Sequence, residues 1–208
     1  MSGGRVYYAF DRSKHVGDAE VDSSRPLLWA LDFNVDPMCS VVAQVTGETV
    51  TVLDEIVLKR ASTYDACDEF QERFPRHAAG VVVYADATGA RLQTSGTTDV
   101  AILRKALKDG DYGEVTFRIP LSNPAVRDRV TLMNAKLESA AGERWMRVHP
   151  ACKELIKDFE QVIFKENSQV IDKDHDPRRT HLSDALGYLV WQEGRLREPL
   201  GERGMRLL

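Results

Sequence analysis

Two aspartates close runs that are otherwise apolar. Asp32 stands near the end of Leu27-Leu28-Trp29-Ala30-Leu31-Asp32-Phe33, and Asp86 follows Gly80-Val81-Val82-Val83-Tyr84-Ala85. A carboxylate buried without a partner is expensive, so an acid in such a place needs a cation, strong hydrogen bonds or a strand end. Ligand sites in open α/β sheets gather beyond the carboxyl ends of strands. If the two runs are neighbouring parallel strands, Asp32 and Asp86 converge, and two like charges held together call for a divalent cation. A third acid lies on the last predicted helix, where Asp184 sits one turn past His181 and shares its face. Oxygen-only ligands suit Mg²⁺ or Mn²⁺ better than zinc. Two such ions about 4 Å apart support in-line phosphodiester hydrolysis, one activating water and the other stabilising the leaving oxygen. Taken singly, each acid has a plainer reading: strand-end aspartates are commonly turn or cap residues, and helix acids are commonly solvated. Their combination in this strand order points to a metal.

The elements that must position these acids follow from hydrophobic patterning. Leu27–Phe33 and Gly80–Ala85 are continuous apolar runs, as central strands buried on both faces require. Ser40–Val45 and Thr49–Val57 are joined across Thr46-Gly47-Glu48, which predicts an antiparallel meander with the first strand. Helical spacing covers Thr63–Phe74, Thr98–Lys108 with Thr97 or Thr98 as cap, Pro124–Ala140, Cys152–Phe164 and Thr180–Arg195. Val115–Ile119 and Trp145–Val148 complete the strands. The order predicts an α/β domain with a mixed sheet. Residues 1–26, polar and ending in Pro26, are expected to be a linker, residues 27–197 the domain, and residues 198–208 a loose tail.

Composition excludes several classes. The 208 residues carry 28 Lys plus Arg against 32 Asp plus Glu, a net charge of −4 that excludes a wholly basic nucleic-acid binder. No apolar run approaches the roughly 20 residues of a membrane span, and the start lacks signal-peptide regions. Cys39, Cys67 and Cys152 are odd in number and widely spaced, which argues against a disulfide frame or a zinc site. The expectation is a cytosolic globular domain.

The βββαβαβ order, with acids on the first and fourth strands and another on a late helix, resembles the ribonuclease H-like fold: a mixed five-stranded sheet flanked by helices, with extra C-terminal helices. More narrowly, Leu31-Asp32-Phe33-Asn34, Tyr84-Ala85-Asp86-Ala87-Thr88-Gly89 and His181-Leu182-Ser183-Asp184-Ala185-Leu186-Gly187-Tyr188 resemble the nuclease domain of tailed-phage large terminase subunits. Ser122-Asn123-Pro124 through Val130, with Asn134 after it, is similar to a helix of that domain. The likeness spans roughly residues 27–195. It implies a Mg²⁺- or Mn²⁺-dependent endonuclease, with two ions on Asp32, Asp86 and Asp184, that cuts concatemeric double-stranded viral DNA during packaging. It further implies an ATPase motor domain, a small terminase subunit and a portal as partners, in the cytoplasm of an infected bacterium and not in the virion or outside the cell. No GxxxxGK[ST] phosphate loop occurs, so the motor would lie outside this chain, which is expected to be an excised domain or a stand-alone relative.

Other signals are secondary. Asp36, before Pro37, could reach a metal through water or serve a turn. His181 could face a metal-bound water or the scissile phosphate, or be an ordinary first-turn residue. Glu55 reads as a solvent-facing strand residue. Asp172-Lys173-Asp174-His175-Asp176 opens like a calcium loop, but Pro177 and Ser183 break that pattern, leaving a solvated loop at the rim of the site. Arg91, Arg178 and Arg179 flank the proposed metals and could hold phosphates without reading bases. Competing readings keep the fold as a junction resolvase, an RNA–DNA hybrid nuclease, or a non-catalytic docking module.

Overall fold

The computed structural model describes residues 4–34, 36–91 and 96–197; the expected tail at 198–208 lies outside them. In chain order the helices are α1 (Arg12–His15), α2 (Thr63–Arg73), α3 (Asp99–Asp109), α4 (Val126–Leu137), α5 (Lys153–Gln161) and α6 (His181–Arg197). The strands are β1 (Leu27–Asp32), β2 (Met38–Thr46), β3 (Thr49–Leu58), β4 (Arg76–His77), β5 (Val81–Ala85), β6 (Asp111–Tyr112), β7 (Val115–Arg118) and β8 (Met146–Val148). The main sheet runs β7-β5-β1-β2-β3-β8. β1, β2 and β3 form the antiparallel meander, while β5 joins β1, β7 joins β5 and β8 joins β3 in parallel. The sheet therefore has six strands instead of the expected five, because the short Met146–Val148 segment docks beside Val50–Val52. β4 and β6 make a separate two-stranded ribbon.

Alternation along the central strands divides the core into two layers. Leu27, Trp29 and Leu31 pack with Val81, Val83 and the apolar faces of α2 and α3. Trp29 stacks on Phe70 at 4.1 Å and donates its indole N–H to Ser40 Oγ, which satisfies the one polar group such a ring brings inside. Leu28, Ala30, Val82 and Tyr84 face the other layer, with Leu182, Ala185, Leu186 and Leu189 of α6. Thr98 caps α3 by accepting the Ala101 N–H.

The segment before Pro26 is not the linker that its polarity suggests. Val6, Tyr7 and Phe10 are buried in the α6-side layer, and Tyr7 and Phe10 pack on the Phe159 ring. Asn134 clips this segment down, accepting the Ala9 N–H and donating to Val6 O. His15 is buried and its Nε2 lies 2.8 Å from Leu137 O. Each such apolar side chain contributes about 1.5–3 kcal/mol on burial, enough to hold a short irregular segment against the core.

Glu55 also departs from its solvent-facing expectation. Its carboxylate accepts the N–H groups of Glu154 and Leu155 at 2.9 and 2.8 Å, capping α5, whose own cap residue Cys152 offers no side-chain bond. Negative charge at a helix N-terminus, with two amides satisfied, contributes about 1–2 kcal/mol.

Candidate metal centre

Leu31 pairs with Ala85, so the next residue on each of two adjacent parallel strands is an aspartate. By alternation, Asp32 continues the Leu28–Ala30 face and Asp86 the Val82–Tyr84 face, both toward α6. α6 packs across β1, β2 and β5 and brings Asp184 over the same strand ends. The strand-end loops close tightly: a Cβ at Gly89 would come within 2.2 Å of the Phe33 ring, so that approach requires glycine. Asp86 and Asp184 are buried, and the Asp32 side chain is 13% exposed.

The three charges share one field. Burial pushes the Asp32 carboxyl above its ordinary value, and the charges of Asp184 and Asp86 push it the same way against the His181 hydrogen bond. Desolvation is the larger influence, and the two neighbouring acids add to it. Asp86 accepts from Thr88 Oγ1 on both oxygens, and Asn123 binds its loop by accepting the Ala87 N–H at 2.7 Å. Asp32 Oδ2 accepts from Asn34 Nδ2 at 2.6 Å and lies 3.0 Å from His181 Nδ1. Asp184 Oδ1 accepts from Arg129 Nη1, and Oδ2 from Lys173 Nζ, each at 3.1 Å.

Among the described residues, no group of three or more His, Cys, Asp or Glu side chains is drawn together as a finished metal site. Oδ2 of Asp32 and both oxygens of Asp184 face nitrogen donors. The donor chemistry nevertheless fits a hard divalent ion, with three carboxylates gathered at one sheet end.

His181 Nδ1 lies 3.0 Å from Asp32 Oδ2 and 3.2 Å from Asn34 Nδ2, while its Nε2 lies 3.1 Å from Pro177 O; the two oxygens favour the doubly protonated ring. Its pKa is raised accordingly, chiefly by the Asp32 hydrogen bond. A cation whose folded pKa is raised contributes stability that is complete below the unfolded value near 6.5 and is lost as pH rises through the folded value. In EDTA, His181→Gln is expected to lower stability by about 1 kcal/mol at pH 6 and by much less at pH 9. Thermal melts of both proteins at the two pH values check this.

No family model and no curated protein sequence matches the chain. Solved structures do. The nuclease domain of the P22 large terminase superposes with a TM-score of 0.68, covering 93% of this chain and 94% of that domain at 14% identity. The fold is that of a large-terminase nuclease domain. The corresponding domain of bacteriophage SPP1, solved with bound Mn, gives 0.56 over 86% of this chain and 96% of that one, again at 14% identity. The large terminase of a thermophilic bacteriophage gives 0.64 at 16% identity and covers 91% of this chain, which spans only 45% of that protein. At these identities what is shared is the ribonuclease H-like fold.

Within the terminase-nuclease fold, the remaining candidates separate. Asp36 is exposed and accepts the Arg60 N–H at 3.4 Å, a turn role that does not bring it to the acids. Arg91 is exposed at the end of the short turn Ala87–Ala90 that follows Asp86. Arg178 is exposed and paired with Asp176. Arg179 is a correction to the expected phosphate ligand: its buried guanidinium lies 3.3 Å from Asp158 Oδ1 and donates to Glu154, so it is spent on structure. Sequence reasoning singles out neither Lys173 nor Arg129 as a partner of Asp184. The loop 172–176, expected at the rim, reaches the site through its lysine.

Proposed function

We propose that this chain is a divalent-metal-dependent endonuclease acting on double-stranded DNA, with Asp32, Asp86 and Asp184 as its metal ligands. The observation that carries the reading is the in-step exit of Asp32 and Asp86 beneath α6, with the charges of Asp86 and Asp184 acting on Asp32. Mg²⁺ or Mn²⁺ bound there, two ions in this reading, would supply an activated water and stabilise the leaving oxygen. The chain's residues hold the arrangement. Thr88 and Asn123 orient Asp86 and its loop, Arg129 fixes one oxygen of Asp184, and His181 keeps a proton at Nδ1 against Asp32. Burial of the carboxylates removes competing water, which strengthens their hold on a cation. Arg91 and Arg178 would contact phosphates without reading sequence. The Mn-bound SPP1 domain supports the choice of ion. In a full-length protein the domain would cut concatemeric viral DNA during packaging in the host cytoplasm, beside an ATPase motor, a small terminase subunit and a portal.

Supercoiled plasmid incubated with the chain tests the proposal. Nicked and linear products are expected with Mn²⁺ or Mg²⁺ and none in EDTA. A folded chain that cuts with neither ion would overturn it.

A further inference from the structure

The two oxygens of Asp184 are held by two cations in contrasting surroundings. Arg129, on Oδ1, has a side chain only 8% exposed, lies 4.4 Å over the Tyr188 ring, and also donates to Asp184 O. It seats in a notch of α6 left by Gly187, where a Cβ would come within 3.1 Å of its Nη1. Withdrawing it would leave a buried carboxylate and a buried guanidinium each short of a partner, so it stays. Lys173, on Oδ2, is 60% exposed and reaches in from the loop before α6. An ammonium on a flexible four-carbon stem leaves such a contact more readily than the buried guanidinium does, because its own end of the pair is open to water.

We propose that Lys173 is an exchangeable counter-ion: its ammonium holds Oδ2 of Asp184 in the metal-free chain and yields that oxygen to a divalent ion, while Arg129 keeps Oδ1. The inference rests on the metal-site reading above. Asp184 would then offer a divalent ion only Oδ2, its other oxygen being committed to Arg129.

Calorimetric titration of the chain with Mn²⁺, without DNA, tests this on the wild type, Lys173→Met, Lys173→Arg, Asp86→Asn and Asp184→Asn, each checked for folding in EDTA by circular dichroism and melting. Lys173→Met is expected to bind Mn²⁺ about two- to fivefold more tightly, the range an exposed ion pair is worth. Lys173→Arg, which keeps a cation on Oδ2, is expected to bind no more tightly than wild type. A residue that only braced the loop would leave the affinity unchanged or weaken it. Unchanged or weaker binding by Lys173→Met, with binding lost in Asp86→Asn or Asp184→Asn, would overturn the exchange and leave the metal site standing. Absence of Mn²⁺ binding by the wild type, or wild-type affinity in both aspartate variants, would overturn the metal site and the exchange together.

Discussion

Asp32→Asn is expected to abolish metal-dependent plasmid cleavage, by about a thousandfold or more, while leaving the chain at least as stable as wild type at neutral pH. The two halves of that result have one cause. Asparagine keeps the volume of the side chain but removes the charge that a divalent ion needs, and losing one electrostatic partner of the transition state costs about 4 kcal/mol. The same charge burdens the folded chain when no metal is bound, because burial and the fields of Asp184 and Asp86 hold the Asp32 carboxyl above its ordinary value. An acid whose folded pKa is raised binds its proton more tightly when folded, so the stability it costs appears as pH climbs past the ordinary carboxylate range. Removing it relieves that cost, partly offset by loss of the His181 pair. Asp184→Asn is expected to lose cleavage equally but to melt lower by about 1–3 kcal/mol, since it leaves the buried Arg129 without its counter-charge. Asp86→Asn is expected to lose cleavage as well. Cleavage rates and melts of the three variants check the set. Loss of activity in Asp32→Asn with an undiminished melting temperature cannot be ascribed to unfolding, and cleavage surviving in that variant would remove Asp32 from the site.

The strands that carry the acids were legible because burial on both faces leaves a continuous apolar run, and an acid at the end of such a run stands out. Leu27–Leu31 before Asp32 and Val81–Ala85 before Asp86 are of this kind. Asp184 was legible as the polar member of an apolar helix. What sequence could not show was which cation answers each acid. Arg129 comes from α4, 55 residues before Asp184, and Lys173 from a polar loop without regular spacing. The dipeptide Arg178-Arg179 reads as one basic patch, yet its members part company, one outward and one buried, because the backbone turns between them and α6. Val6-Tyr7-Tyr8-Ala9-Phe10 did leave a signal, an unbroken apolar run of five residues, but polar flanks outweighed it.

Arg179→Met is expected to destabilise the chain by about 3–5 kcal/mol, the largest stability effect among these substitutions. Its guanidinium sits between α5 and the turn into α6, within 3.3 Å of Asp158 Oδ1 and hydrogen-bonded to Glu154 O and its carboxylate. Asp158 in turn accepts the Ser183 N–H at 3.1 Å, and burial raises its pKa to about 7 despite these partners. Methionine would fill the volume and leave that carboxylate uncompensated. The penalty is therefore expected to be larger at pH 8, where Asp158 is charged, than at pH 5, where it can hold a proton; pairing the change with Asp158→Leu is expected to recover most of the loss. The clamp also holds Thr180, whose φ of +82° lies in the left-handed region that β-branched residues avoid. A residue so placed costs about 1–3 kcal/mol of strain, and it stands immediately before His181, the first residue of α6. Releasing it lets the backbone relax, so the Arg179→Met, Asp158→Leu double variant is expected to regain stability without regaining full cleavage. Melts at the two pH values, with plasmid cleavage by the refolded double variant, distinguish a clamp that positions the acids from one that only stabilises the fold.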